Sequence, residues 1–204
     1  MYLMTHSLLS SWQYFCREHY SEEAEEKAYA DFLRTLNREK GETNEAMQNG
    51  IDFERLIEKA CNGLAIPEGH KWASLVNEAA DFVRGGVWQT KASRPKRING
   101  IDFLLYGRFD VLKAGIIYDI KFISSSAGYD TGKYFDSTQH PMYLEIEQSA
   151  DEFRYLVGDK NGIYLEKYTR SDTPSIDGDI EKFMDFLRMS GLEQTYFEKW
   201  RARG

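Results

Sequence analysis

The sequence predicts an α/β fold, with a mixed central sheet of about five strands flanked by helices and an N-terminal helical layer. Three observations lead to this prediction. Apolar residues recur at helical spacing over most of the first 84 positions. Strand-length segments of alternating apolar and polar residues lie between Val87 and Ile123, and again between Glu152 and Thr169. A last segment with helical spacing, Ser175 to Arg188, follows them.

The bulk properties indicate one soluble domain that spans residues 1–204. A hydrophobic content of 42% with 29% charged residues is ordinary for a globular protein, and no apolar run approaches membrane-spanning length. The first residues lack a basic lead and an apolar stretch, so we expect no signal peptide. Cys16 and Cys61 are most simply two reduced thiols, which predicts a cytoplasmic location.

The N-terminal layer is predicted to contain four helices: Ser7–His19, Ser21–Asn37, Asn44–Asn62 and Pro67–Arg84. In the third, Glu54 borders the apolar stripe one turn after Gly50. A glycine inside a helix costs about 1 kcal/mol, so we interpret Gly50 as permitting close approach, with Glu54 pointing into the gap. From the residues alone, a surface pairing of Glu54 is the stronger alternative.

A hairpin is predicted from Asp102 to Ile123, with strands Asp102–Leu112 and Gly115–Ile123 joined at Lys113-Ala114. An even-length turn puts three charged residues on one side of it: Asp110, Asp119 and Lys121. Two carboxylates and an ammonium on strands of Ile, Phe, Leu and Tyr are costly to bury. A divalent cation would relieve the carboxylate repulsion. The alternative is a surface Asp–Lys pair without a role, since a lone Asp-x-Lys is common.

A turn-rich link is predicted at Ser93–Arg97, and we interpret it as a loop whose basic side chains contact the nucleic-acid backbone. The basic side chains in and beside this link are Lys91, Arg94, Lys96 and Arg97. A solvated hairpin tip is an equally good interpretation. The net charge of −7 gives no general attraction to nucleic acid.

After Lys121 the segment Ser124–Asp136 is predicted to be a flap over the site. Its Lys133 and aromatic side chains are expected to contact a strand of nucleic acid. A helix then begins near Ser137 or Thr138. Gln139 and Tyr143 are four residues apart and share a face of it, an arrangement suited to gripping phosphates or a strand end. The alternative is a capped amphipathic helix with a half-buried tyrosine.

In this order the elements resemble the PD-(D/E)xK nuclease superfamily, and more closely its RecB-like branch. Members of that family have a helix with an acidic residue, a strand with Asp, a strand with (D/E)-x-K and a helix with Gln-x-x-x-Tyr. The corresponding residues here are Glu54, Asp110, Asp119-Ile120-Lys121 and Gln139 to Tyr143. The resemblance covers residues 45–170.

The resemblance implies a restriction-endonuclease-like core and metal-dependent cleavage of DNA, with exonuclease or end-processing action favoured. It assigns Mg²⁺ or Mn²⁺ to Asp110, Asp119, the Ile120 carbonyl and Glu54, a choice that hard oxygen ligands support. Lys121 would orient or deprotonate the attacking water, and Gln139 and Tyr143 would belong to the same site. Two cysteines cannot supply the four-cysteine iron–sulfur cluster of some relatives.

Three alternatives stay open: a structure-specific endonuclease, a catalytically silent nucleic-acid-binding module of the same fold, and a metal phosphohydrolase of small substrates. The expected partner is DNA, with a recombination or replication protein as a further partner and no membrane. The oligomeric state is not predicted.

Overall fold

The computed structural model describes residues 1–41, 43–125 and 127–202. Within them the helices are α1 His6–Phe15, α2 Glu22–Leu36, α3 Glu45–Cys61, α4 Ala73–Val83, α5 Gln139–Ile146, α6 Asp177–Met189 and α7 Glu193–Lys199. The strands are β1 Tyr2–Thr5, β2 Val87–Ile98, β3 Ile101–Lys113, β4 Ile116–Phe122, β5 Glu152–Gly158 and β6 Ile163–Thr169. No helix in this described part of the chain is long and apolar enough to cross a membrane.

The strands form one mixed sheet in the order β1-β3-β4-β5-β6, with β2 paired to the other edge of β3. The pairs β1–β3 and β4–β5 are parallel, and the others are antiparallel. The predicted α/β fold with its N-terminal helical layer is confirmed. The strand not predicted is β1, because a four-residue strand paired with a distant segment leaves little local pattern.

The edge of β3 that faces away from β2 has a gap between its two neighbours. β1 pairs with β3 as far as Tyr106, and β4 pairs with β3 only from Val111 onward. Within the described sheet, residues 107–110 therefore have no strand partner on this edge. These residues are Gly107, Arg108, Phe109 and Asp110, so the gap opens where the predicted hairpin carries Asp110.

The β2–β3 hairpin corrects the predicted basic loop. Residues 93–97 lie inside β2 and pair with β3, so the prediction of a turn-rich link is wrong. The turn is at Asn99-Gly100, where both residues have positive φ (47° and 81°), and Asn-Gly is a favoured two-residue hairpin turn. Pro95 is tolerated because β2 is an edge strand.

The β3–β4 turn lies one residue later than predicted, at Ala114-Gly115, where φ is 50° and 77°. Leu112 consequently pairs with Ile117 rather than with Gly115. The pairing shifts by two residues, and an even shift preserves which side chains share a face. The paired residues therefore keep the predicted facing, while Asp110 lies just before the first paired residue of this ladder, Val111.

Two hydrophobic clusters cover the two faces of the sheet. The first joins the sheet to α1, α2, α5 and α6, and includes Phe109 and Tyr155. The second joins it to α3 and α4, and includes Phe53 and Val111. Helix α3 begins where predicted, because Asn44 Oδ1 accepts a hydrogen bond from Met47 N at 2.9 Å. Helix α4 begins at Ala73, later than predicted.

Candidate active site

Two carboxylates lie at the gap in β3. Asp110 ends the unpaired segment, and its Oδ2 accepts a hydrogen bond from Ile120 N on β4 at 2.8 Å. Asp119 is on β4 itself, and its side chain is buried. The side chain of Asp110 thus replaces a backbone bond between the two strands and lies next to the second acid.

The alternation of side chains is interrupted in β2 and β3 beside Asp110. Phe109 packs in the first core cluster and Val111 in the second, although residues two apart on a regular strand share a face. Opposite them, Gln89 has a φ of 53°, and its neighbours form the pairs Trp88–Val111 and Thr90–Phe109. The two strands therefore change face together at this level, and Asp110 turns toward β4.

Gln89 also holds Glu54, which reaches the site from α3. Its Nε2 donates a hydrogen bond to Glu54 Oε1. A left-handed backbone is unfavourable for glutamine, and residues held in such conformations cluster at functional sites. Sequence reasoning missed Gln89 because this conformation is typical of Gly and Asn, so nothing in the strand pattern marks it.

Lys121 lies two residues after Asp119 on the same side of β4, and its Nζ is 2.6 Å from Asp119 Oδ2. This is a charge contact rather than a well-aligned hydrogen bond, since Asp119 Oδ2 has no partner of acceptable hydrogen-bond geometry. Burial opposes the ammonium, but the charges of Asp119 and Asp110 outweigh it and raise the pKa of Lys121. Lys121 is therefore protonated at neutral pH, which favours an orienting and donating role over that of a base.

The carboxylates repel one another in this buried place. Burial, followed by the charges of Asp119 and Glu54, raises the pKa of Asp110 well above its usual range, against opposing effects of Lys121 and the Ile120 N–H. Burial and the charge of Asp119 likewise raise the pKa of Glu54, against a smaller effect of Arg108. The site thus holds more negative charge than Lys121 neutralises, which is an electrostatic demand that a bound cation would meet.

The donor set suits a hard cation, but the acids are not gathered around one point. Among the described residues, no three His, Cys, Asp or Glu side chains are placed to hold a metal ion. Neighbouring groups instead engage one oxygen of each acid: Gln89 on Glu54, Ile120 N on Asp110, and Gln139 on Asp119. Asp119 Oδ2 has the charge contact with Lys121 in place of a well-aligned hydrogen bond, so this carboxylate oxygen can still accept a further partner.

Helix α5 brings Gln139 and Tyr143 to the carboxylates. Gln139 Nε2 donates to Asp119 Oδ1, and the Tyr143 hydroxyl donates to the Arg108 carbonyl at 3.3 Å, inside the gap in β3. A Cβ on Gly107 would lie 2.8 Å from Tyr143 Cε1, so glycine is needed for this approach. Burial, with the charges of Asp119 and Asp110, raises the pKa of Tyr143 to about 12, which keeps the phenol neutral.

A half-buried histidine that the sequence did not single out lies beside this helix. The Nδ1 of His6 is 3.0 Å from Thr138 Oγ1, and its ring meets Tyr143 edge-on at 6.4 Å. Burial, then the charges of Lys121 and His140, lowers the pKa of His6 to about 3, so the ring is neutral. His140 stacks on Tyr168, with ring centroids 3.8 Å apart.

The predicted basic residues are not gathered at the carboxylates. Lys96 Nζ is 2.7 Å from Asp177 and 3.0 Å from Glu145, which Arg94 also approaches. Arg97 pairs with Asp102 at 3.7 Å. Lys91 is exposed and lies opposite Arg108, the basic residue of the gap. Lys133 is exposed in the segment after β4.

That segment, predicted to be a flap, is fastened to the β5–β6 hairpin; Ser126 within it lies outside the described residues. Asp159 accepts a hydrogen bond from Tyr129 N at 2.8 Å, and Glu166 accepts from the Tyr129 hydroxyl and from Tyr134 N. Tyr134 stacks on Tyr155 at 4.3 Å. The aromatic residues of this segment are Tyr129, Tyr134 and Phe135, and of these Phe135 is the exposed one, at 72%.

Comparison with known proteins supports the fold alone. No family model matches the chain, and no curated protein matches it. A solved structure described as the crystal structure of SSO0001 is similar, with a TM-score of 0.53 and 15% sequence identity. The match covers 94% of this chain and 77% of that chain. At this identity, similarity of fold carries no conclusion about activity.

Proposed function

We propose that this protein is a metal-dependent nuclease that hydrolyses phosphodiester bonds in DNA. The observation that carries the proposal is the meeting of Asp119, Lys121 and Gln139 beside Asp110 at the gap in β3. A buried ion pair is weak evidence for stability, because desolvation offsets much of its attraction. A pair between the buried Asp119 and the half-buried Lys121, surrounded by further acids, is better explained by a role in chemistry.

The residues suited to hold Mg²⁺ or Mn²⁺ are Asp110, Asp119, Glu54 and the Ile120 carbonyl, all of them oxygen donors. When bound, the cation would supply Lewis-acid stabilisation of the negative charge that develops on the phosphate. Burial, followed by repulsion among the acids, raises the pKa of Asp110 and of Glu54, and the repulsion is the part of this cost that cation binding would relieve.

The other residues bind and orient the substrate. The Lys121 ammonium, protonated next to Asp119, donates hydrogen bonds to a phosphate oxygen or to the attacking water. The Gln139 amide fixes the carboxylate plane of Asp119. The neutral Tyr143 phenol lies at the gap, where its hydroxyl donates to the Arg108 carbonyl and can donate to a substrate oxygen instead. Arg108 and its cross-strand neighbour Lys91 are exposed cations suited to the DNA backbone.

We favour processing of strand ends over cleavage within duplex DNA. Burial raises the pKa of Tyr134, and the charges of Lys121 and Asp119 also act on it, so this residue of the fastened segment lies near the site and would leave less room there for an uninterrupted duplex. A net charge of −7 also gives little attraction to long duplex DNA.

Delivery by a recombination or replication protein, in the cytoplasm, fits this charge. Neither cysteine forms a disulfide, as the cytoplasm would require.

A catalytically silent nucleic-acid-binding module is the second candidate. It is favoured by one observation, that the described acidic side chains do not form a three-ligand metal group. Such a module would keep the fold and the exposed cations while lacking cleavage. The two candidates differ in one measurable respect, which is hydrolysis that depends on added Mg²⁺.

The test is Mg²⁺-dependent digestion of linear DNA with single-stranded ends and of closed circular duplex. Asp119→Asn and Lys121→Ala should each lower cleavage of linear DNA by about a hundredfold or more, while Asp81→Asn, at a side chain 79% exposed on α4, should not. Wild-type cleavage by Asp119→Asn would overturn the proposal. DNA binding without cleavage would support the silent module. Rapid cutting of the closed circle would indicate an endonuclease, and hydrolysis of nucleotide monophosphates alone a small-substrate enzyme.

A further inference from the structure

A groove lies just beyond the end of β4, next to the candidate active site. Its volume is about 340 Å³, and the lining residues that matter here are Asn49, Lys71, Trp72, Phe122, Ser124 and Lys160. No Asp or Glu among the described residues lines it. This composition is unusual in a chain with 33 acidic and 26 basic residues, so the local charge is opposite to that of the protein as a whole.

Two other hollows in the surface have the acidic character expected of the chain. One lies at Phe15 and Tyr29, with Glu22, Glu25 and Glu26 around it. Another lies beside His140 and carries Asp136, Asp172 and Asp179. A third, near the end of the described chain, mixes arginines and a lysine with Glu198. The groove after β4 thus combines two lysines with no acidic residue among the described ones that line it, and its wall begins at Phe122, the residue after Lys121.

The wall of the groove packs against elements that carry the candidate active site. Phe122, in its wall, directly follows Lys121, and its ring packs 4.6 Å from Trp72 and 4.9 Å from Phe53, the neighbour of Glu54 in α3. Ser124 is three residues after Lys121, so about 11 Å of extended chain at most separates them. A strand lying in this groove would reach the carboxylates within a few nucleotides.

The lining groups fit a nucleic-acid strand. The lysine ammoniums, the Asn49 amide and the Ser124 hydroxyl are hydrogen-bond donors that suit phosphate oxygens. Lys71 Nζ lies 4.5 Å above the Trp72 ring, so a cation–π contact holds this charge at the groove. The walls also include aromatic and aliphatic surface, which unpaired bases can contact and the paired bases of a duplex cannot.

We propose that this groove binds single-stranded DNA on one side of the bond that is cut, with Lys71 and Lys160 contacting its phosphates. The inference rests on the proposed function, because it names the form of the substrate and a binding surface for it. It adds Asn49 of α3, Lys71 before α4 and Lys160 in the β5–β6 turn to a site otherwise built from α3, β2, β3, β4 and α5.

The experiment measures binding separately from cleavage, in a chain made inactive by Asp119→Asn. Binding of a fluorescein-labelled oligothymidine is followed by anisotropy at several salt concentrations. Adding Lys71→Gln or Lys160→Gln should raise Kd about fivefold each, and each should lower the salt slope by about 0.7. Lys27→Gln, at an exposed lysine of α2, is the matched control and should leave Kd unchanged. Circular dichroism checks that every variant is folded.

The outcomes separate this inference from the proposed function. If wild-type protein cleaves DNA but neither lysine variant changes Kd or the salt slope, the groove proposal is wrong and the nuclease proposal stands. If no cleavage is found but both variants weaken binding, the groove proposal stands and the nuclease proposal fails. Equal or tighter lysine-dependent binding of the same sequence as a duplex would overturn the assignment to single strands.

Discussion

Replacing Gln89 with glycine should give a more stable protein than replacing it with alanine. Both substitutions remove the amide that donates to Glu54, so both lose that hydrogen bond equally. They differ in the backbone, because Gln89 has a φ of 53°. Alanine keeps the strain of a left-handed conformation at this position, whereas glycine adopts it freely.

The expected difference follows from two opposing effects. The left-handed conformation costs an L-residue about 1–2 kcal/mol, and this cost disappears in the glycine variant. Glycine loses more chain entropy on folding, which costs about 0.5–1 kcal/mol relative to alanine. The balance favours glycine by about 0.5–1 kcal/mol. For a chain of this size, each kcal/mol corresponds to a Tm difference of about 2–4 °C. At an ordinary strand position the order would be reversed.

Thermal unfolding followed by circular dichroism measures this difference, with both variants prepared without divalent cation. Activity gives a second readout: both variants should lose cleavage to a similar extent, about tenfold to a hundredfold, since removing a group that orients a metal ligand has effects of that size. A Tm of Gln89→Ala equal to or above that of Gln89→Gly would refute the strained backbone. Full activity of both would refute the role of Gln89 in holding Glu54.

Two further predictions concern the carboxylates and the helix beside them. Because burial and neighbouring charges raise the pKa of Asp110, ionisation of this carboxyl destabilises the folded state as pH rises. Asp110→Asn should therefore raise the Tm of the metal-free protein at pH 8, and this gain in Tm should shrink to nothing near pH 4. Thermal unfolding measured across this pH range checks the prediction. An advantage that is independent of pH would contradict this. Gly107→Ala should push Tyr143 away and cost about 1–3 kcal/mol and much of the activity, whereas Gly178→Ala in α6, with open space around its Cβ, should not destabilise.

Much of the fold could be predicted because local pattern and turn chemistry agree. Helices α2 and α3, with caps at Ser21 and Asn44, lie within a residue of prediction. The β3–β4 hairpin turns one residue later than predicted, and the even shift of register leaves the facing of its paired residues unchanged. Asp110 lies just outside the paired segment, and the hydrogen bond that it accepts from Ile120 N brings it beside Asp119. Lys121 followed, because its position two residues after Asp119 places both on one side of β4.

The basic strand shows where local pattern fails. Lys91, Arg94, Lys96 and Arg97 form a basic cluster in sequence, but their strand alternation sends Arg94 and Lys96 toward Glu145 and Asp177. Those acids come from α5 and α6, some 50 and 80 residues away in the chain. Which charges remain exposed is therefore decided by packing between distant elements, and no local pattern records it.

The sequence by itself determined the residue types of the site, their order along the chain and the strand faces that carry them, because periodicity and hairpin parity are local properties. The tertiary structure decided the rest. The gap in β3 exists because β1 and β4 share one edge without meeting, and Gln89 reaches Glu54 only through a left-handed turn of its own backbone. Both depend on where distant segments come to lie, and this is fixed by the packing of the whole chain.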